Sequence, residues 1–198
     1  LGPDGKLRAV SPTRPSEWMT YTEALPAAID HKDMVTQHTS PQGVTTTQTG
    51  LGLGFVLCEG DPFTCIDLDV KDAETHPDEP ESWTTADDFQ RYVQIINTMN
   101  SYTERSRSGK GIHVWVRGDV GRGRRRDGVE VYSRERYIIC TGDVYVSEPV
   151  ADRQQMLLNM IEQMRPVQGS SGYQLEEHPP EADDWYVFQT AALASNGD

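Results

Sequence analysis

Asp67 and Asp69 stand two residues apart in the run Phe63-Thr64-Cys65-Ile66-Asp67-Leu68-Asp69-Val70. On a β-strand that spacing puts both carboxylates on one face, where like charges repel and an otherwise apolar strand gains nothing from them. A hard divalent cation such as Mg²⁺ or Mn²⁺, which takes carboxylate oxygens, removes the conflict; a solvated strand end is the other reading of the pair. Further along come Ser106-Arg107-Ser108-Gly109-Lys110-Gly111-Ile112-His113 and then Val129-Glu130-Val131-Tyr132. The chain thus offers two acids, a small flexible loop with a lysine and a histidine after it, and a third acid. Glycines let backbone N–H groups approach a phosphate and serine hydroxyls add donors, although an ordinary β-turn has the same composition. It is not a Walker A loop, because Glu104 stands where the first glycine belongs and no Ser or Thr follows Lys110. His113 alternates with Ile112 and Val114, so it shares a strand face with Trp115 and Arg117, placed either as a structural histidine or as a donor to a triphosphate oxygen. Glu130 faces away from Val129 and Val131, as a solvated edge residue or as the third carboxylate around a metal pair.

These groups must be held by a handful of elements. Thr20 followed by Glu23 is a capping box for a helix from Tyr21 to about Ile29, limited by Pro26. Residues 36–50, rich in Thr, Gln and Gly, form a loop or an exposed edge strand. Gly54 to Cys58 and Thr64 to Asp69 flank Glu59-Gly60-Asp61-Pro62, which predicts a hairpin with the Asp pair at its outgoing end. After an acidic loop, Ser82 is a candidate N-cap, and Ala86, Phe89, Val93, Ile96 and Met99 recur at helical steps, predicting an amphipathic helix over 83–99. Ile112 to Val116 reads as a strand. A second hairpin is expected from Val129–Tyr132 and Tyr137–Cys140 around 133–136, and a helix over 152–164 with Met156, Leu157, Met160, Ile161 and Met164 inward. Residues 1–16 read as an irregular lead-in, 169–184 as a linker, and Trp185 to Leu193 as a docking helix or the start of a further domain. Gly50-x-Gly52-x-Gly54 precedes a strand, whereas a dinucleotide fingerprint follows one and opens a helix, so that reading is rejected.

The chain has 198 residues, enough for one domain with a core plus tails. No stretch has the apolar length of a membrane span, and no signal peptide is visible. The opening Leu1-Gly2-Pro3, without a methionine, reads as the cut end of a longer chain with a tag remnant. Cys58, Cys65 and Cys140 all lie in apolar runs; an odd number without Cys-x-x-Cys spacing speaks against a disulfide framework or a zinc site and for buried, reduced thiols in the cytoplasm. The net charge of −13 argues against nucleic acid as a partner until its distribution is read. Residues 101–140 hold ten basic and five acidic residues, a local +5, which leaves −18 on the remainder. Fields are screened within about 10 Å at moderate salt, so a polyanion responds to the local potential. Arg122, Arg124, Arg125 and Arg126 form the densest run, either a solvated loop or a contact for a template or primer backbone.

Taken in order, Ile66-Asp67-Leu68-Asp69, Ser106-x-Ser108-Gly109-x-Gly111-x-His113 and Glu130-Val131-Tyr132-x-x-x-Arg136-Tyr137-x-x-x-Thr141-Gly142 resemble the three motifs of the archaeo-eukaryotic primase superfamily, most closely its primase-polymerase branch in phages, plasmids and bacteria. Trp18-x-x-Tyr21-x-x-Ala24 and Gly52-x-Gly54-Phe55-Val56-Leu57 are similar to the family's lead-in, so the resemblance covers about residues 16–165. It implies an α/β (α+β) fold, with an RRM-like sheet beside a small N-terminal α/β module, a catalytic domain over 1–165, and an acidic tail over 166–198 leading towards a helicase-type region. It also implies template-directed nucleotidyl transfer from dNTPs or NTPs to a primer 3′-hydroxyl on single-stranded DNA in replication, in the cytoplasm of a bacterial host or phage-infected cell. Asp67, Asp69 and Glu130 match the triad that holds two Mg²⁺ or Mn²⁺ ions. His113 matches the triphosphate contact, and Ser106, Ser108, Gly109 and Lys110 the phosphate loop. Arg136 and Tyr137 fall in the third motif, where Tyr137 is expected to stack on the sugar. The superfamily's zinc-binding insert has no counterpart here, and some of its members are fused to or associated with a helicase, a partner the tail leaves room for beside the nucleotides, template and primer. A metal-dependent nuclease, which shares the acids, and a non-catalytic RRM-like single-strand binder are the alternatives.

Overall fold

The computed structural model describes residues 11–33, 35–39, 45–49, 52–164 and 192–194. In chain order the elements are α1 (Tyr21–Asp30), β1 (Val35–Thr39), β2 (Thr45–Thr49), β3 (Leu53–Leu57), β4 (Phe63–Leu68), α2 (Ala86–Met99), β5 (Thr103–Arg105) and β6 (Ile112–Arg117). They continue with β7 (Arg124–Arg126), β8 (Val129–Tyr132), β9 (Arg136–Cys140), β10 (Val144–Val146), β11 (Ala151–Asp152), α3 (Gln154–Gln163) and β12 (Ala192–Ala194). The fold is mixed α and β with a mostly antiparallel main sheet, as the sequence leads one to expect. The chain divides into two compact units: one comprises Leu1–Val56, Tyr137–Cys140 and Pro166–Asp198, the other Leu57–Arg136 and Thr141–Arg165.

The second unit is built on a seven-stranded sheet in the order β10-β5-β6-β4-β8-β7, with β11 parallel to β6 and β4 central. Strand alternation separates its faces. Ile66 and Leu68 of β4, Val114 and Val116 of β6, and Val129 and Val131 of β8 point to one face, where Tyr92, Ile96 and Met99 of α2 and Leu157 and Ile161 of α3 close over them. Each such side chain taken out of water stabilises the fold by about 1.5–3 kcal/mol. Both helices therefore lie on one face, and Cys65, Asp67, His113, Trp115, Glu130 and Tyr132 belong to the other. Thr85, three residues beyond Ser82, caps α2 in a reciprocal box with Asp88; the Ser82 hydroxyl instead donates to Glu79 O at 2.8 Å and ends a short 3₁₀ turn. The buried stripe of α2 also departs from expectation, since Phe89 and Val93 are exposed and Tyr92 is inside.

In the first unit, Thr20 and Glu23 form the expected capping box, and α1 runs to Asp30, one residue past the expected end, with Pro26 in its interior. β1 and β2 make an antiparallel ribbon where a loop or edge strand was expected, and β3 lies between β12 and β9. Neither predicted hairpin forms. β3 and β4 belong to different sheets, as do β8 and β9, because β4 and β8 pair with each other. The Arg124–Arg126 run is a strand, turned into β8 through Asp127 and Gly128 at φ 51° and 74°. Of the three thiols, Cys65 is buried, Cys58 is half-buried and Cys140 is exposed, against the expectation that all three are inside. The linker over 169–184 and most of the Trp185–Leu193 helix lie outside the described residues; Ala192–Ala194 is strand.

Candidate active site

Four strand pairings line up one row of ionisable residues across the second unit's sheet. Glu104 of β5 is opposite His113 of β6, His113 opposite Asp67 of β4, Asp67 opposite Glu130 of β8, and Glu130 opposite Arg125 of β7. Directly opposed residues share a face, with Cβ atoms about 4.5–5.5 Å apart. Asp69 follows the last paired residue of β4. Its N–H donates to Gly128 O at 2.9 Å, and its carbonyl accepts from the Tyr92 hydroxyl at 2.8 Å. The turn after β7 and helix α2 thus fix the strand end that carries the second acid.

Charge in this row is poorly compensated at the centre. Burial, then the Asp69 charge, pushes the Asp67 carboxyl up to about 7, with Glu130 adding to the rise and His113 and Arg136 opposing it. Asp69 is raised as well, by burial and then by Glu130, against Arg125, Lys71 and His113. Asp67 Oδ1 is buried with no hydrogen-bond partner and lies 3.8 Å from His113 Nε2. An unbonded carboxylate oxygen beside a second carboxylate, both resisting ionisation, is chemistry that a divalent cation fits. Glu130 is differently placed. Its oxygens meet Arg125 Nε at 2.7 Å and Arg136 Nη2 at 3.6 Å, and the Tyr132 hydroxyl donates to it at 2.5 Å. Among the described residues no group of three His, Cys, Asp or Glu side chains is disposed to hold a metal ion. The register brings Asp67, Asp69 and Glu130 to one patch, while two arginines occupy the third acid.

His113 is nearly buried, with Nδ1 at 3.5 Å from Glu104 Oε1. Burial alone would lower its pKa, but the Glu104 hydrogen bond and the Asp67, Glu104 and Asp69 charges outweigh that and raise it. The loop before it closes on itself. Gly111 N donates to Ser106 Oγ at 3.0 Å, Lys110 N to Ser108 Oγ at 3.3 Å, and the two hydroxyls are 3.0 Å apart. Gly109 adopts φ 74°, and a Cβ at Gly111 would press on Ser106 Oγ and Leu68 O, so the loop is packed against the outgoing end of β4. Lys110 Nζ reaches Asp72 Oδ2 and Glu74 Oε2, each at 2.8 Å.

The basic run is locally engaged. Arg124 Nη1 donates to the carbonyls of Arg122 and Gly123, and Arg126 pairs with Asp127 at 3.1 Å and donates to Gln163 O. Arg136 lies over the Tyr132 ring, 4.4 Å from its centroid, and donates to its hydroxyl at 3.1 Å. Tyr137 belongs to the first unit, packed with Trp18 against Val56 and Ile139. Sequence reasoning missed Glu104, Arg125 as the partner of Glu130, and Tyr132 as its hydrogen-bond donor. The Glu130-x-Tyr132 spacing, which places both on one strand face, was a readable signal for the last of these.

No protein-family model matches the chain. A curated protein named DNA Primase-polymerase, from Nitratiruptor phage NrS-1, is 39% identical to it over 102 residues. The match covers 48% of this chain and 13% of that relative, so the chain spans about an eighth of the relative's length. Over the matched 102 residues the chain is thus similar to a phage protein named as a primase-polymerase.

Proposed function

We propose that the chain carries the catalytic site of a template-directed DNA primase-polymerase, adding nucleotides from nucleoside triphosphates to a 3′-hydroxyl. The observation that carries this reading is the cross-strand row His113–Asp67–Glu130 with Asp69 beside it, in a chain homologous to a phage primase-polymerase. In this reading Asp67 and Asp69 would hold Mg²⁺ or Mn²⁺, with Glu130 as the third carboxylate in place of its pairing with Arg125. Bound divalent ions supply Lewis acidity, lowering the pKa of the attacking hydroxyl and stabilising charge on the leaving pyrophosphate. The protein's own part is positioning and positive charge. His113 donates to a triphosphate oxygen, the Ser106–Gly111 loop presents hydroxyls and backbone N–H groups, and Lys110 leaves Asp72 and Glu74 to meet the phosphates. Arg125 and Arg136, released from Glu130, add to the field over the triphosphate. The basic segment formed by Arg122 and β7 (Arg124–Arg126) tracks the backbone of a single-stranded template.

The test is incubation with Mg²⁺ or Mn²⁺, a single-stranded template and labelled dNTPs or NTPs, with and without a primer. Strand growth with stoichiometric pyrophosphate is expected, and its loss in Asp67→Asn and Asp69→Asn at unchanged folding. Wild-type extension rates in either variant would remove the metal role. Cleavage of the template without pyrophosphate would identify a nuclease instead.

A further inference from the structure

Glu104 has no role in the reading above, yet it is among the most deeply buried side chains of the molecule, 1% exposed. A carboxylate so far from water persists only where each of its oxygens is satisfied. The backbone N–H groups of Thr141 and Gly142 donate to its Oε2 at 3.2 and 2.9 Å, and the Tyr102 hydroxyl donates to the same oxygen at 3.2 Å. Three donors converge on one oxygen and pin the group, leaving Oε1 turned to His113 Nδ1 at 3.5 Å. On the far side of the ring, Nε2 looks towards Asp67 Oδ1 at 3.8 Å. The imidazole is therefore strung between two carboxylates along the sheet row, one of them locked and the other at the candidate catalytic centre.

We propose that Glu104 is a positioning residue, accepting the Nδ1–H of His113 and so fixing the ring plane with Nε2 aimed at the Asp67 side of the sheet. The two ring nitrogens of a histidine are distinct, and the partner of one decides the orientation and bonding of the other. Thr141-Gly142 gains a task from this geometry: its amides hold the carboxylate that holds the ring. The inference rests on the reading of His113 as the triphosphate contact. Glu104 does not itself touch substrate.

Glu104→Gln keeps the shape and leaves one oxygen for the Thr141 and Gly142 amides, but turns an NH₂ towards Nδ1, where it can only donate. In primer extension this variant is expected to raise the KM for nucleotide about tenfold with kcat changed less than about twofold, the size expected for a lost hydrogen bond to a charged group. Nitrogen-15 NMR of the ring should show Nδ1 protonated in the unsubstituted chain and stripped of its proton in Glu104→Gln. An unchanged KM in an active, folded Glu104→Gln overturns the proposal, and so does an unprotonated Nδ1 in the unsubstituted chain, a measurement that needs no variant. Absence of extension by the unsubstituted chain would remove the polymerase reading, while the NMR arm still decides the contact.

Discussion

Asp67 combines what the sequence announces with what only the folded chain imposes. Its spacing from Asp69 marks a carboxylate pair without any coordinates; its orphaned Oδ1 and its place between His113 and Glu130 follow from the register of three strands. A carboxyl raised to about 7 in the fold, against 3.8, favours the protonated state. Its contribution to stability is complete below about pH 4 and is lost as pH climbs through 7. Asp67→Asn, which cannot ionise, should therefore be more stable than the parent at pH 8 by roughly 2–4 kcal/mol in the absence of divalent ions. The gain should vanish near pH 4 and, in the proposed metal-binding reading, shrink when Mg²⁺ is added, because the cation would bind the carboxylate and not the amide. Thermal melts of both proteins at the two pH values, with and without Mg²⁺, check this; equal melting points at pH 8 without metal would mean that the carboxylate is not strained. Glu104, by contrast, was illegible. A glutamate in a three-residue strand looks like any solvated acid until β6 is laid beside it and the amides of Thr141 and Gly142 reach it.

Elements were legible where their signals are local. The Thr20–Glu23 box was read from sequence and its counterpart at Thr85–Asp88 obeys the same rule, since capping depends on residues three apart. Neither expected hairpin forms, for the opposite reason. Adjacent apolar runs predict strands, but which strand pairs with which depends on contacts distant in sequence, and β4 takes β6 and β8 in place of β3. The Arg124–Arg126 strand was hidden because three arginines carry no apolar alternation, although Asp127-Gly128 is a hairpin turn signature. That turn also sets the site. Gly128 needs φ 74°, and a Cβ there would collide with the Tyr92 hydroxyl that holds the Asp69 carbonyl. Tyr92→Phe should cost about 1 kcal/mol, the worth of one hydrogen bond. Gly128→Ala should cost more, about 1–3 kcal/mol, through backbone strain plus displaced Tyr92. Chemical denaturation ranks the two, and a Gly128→Ala protein as stable as the parent would show that the turn does not hold Asp69.

At the scale of the whole chain, a net charge of −13 coexists with a basic segment, and the two make opposite forecasts for a polyanion. If total charge governed, single-stranded DNA would be repelled and added salt would strengthen binding. If the local field governs, binding weakens with salt, with a slope in log–log form of about −0.7 for each phosphate neutralised on a single strand. Arg122 and Arg124 discriminate, because they belong to the basic edge while it is Arg125 that pairs with Glu130 at 2.7 Å. The Arg122→Ala, Arg124→Ala double variant should bind a short oligothymidylate more weakly, with the slope reduced by about 0.7 per phosphate contact removed. Its circular dichroism should match the parent's, since the Arg124 guanidinium donates to carbonyls of its own turn, outside the sheet's core. A titration by fluorescence anisotropy at several salt concentrations reads both quantities. An unchanged slope would take the template away from the β7 edge.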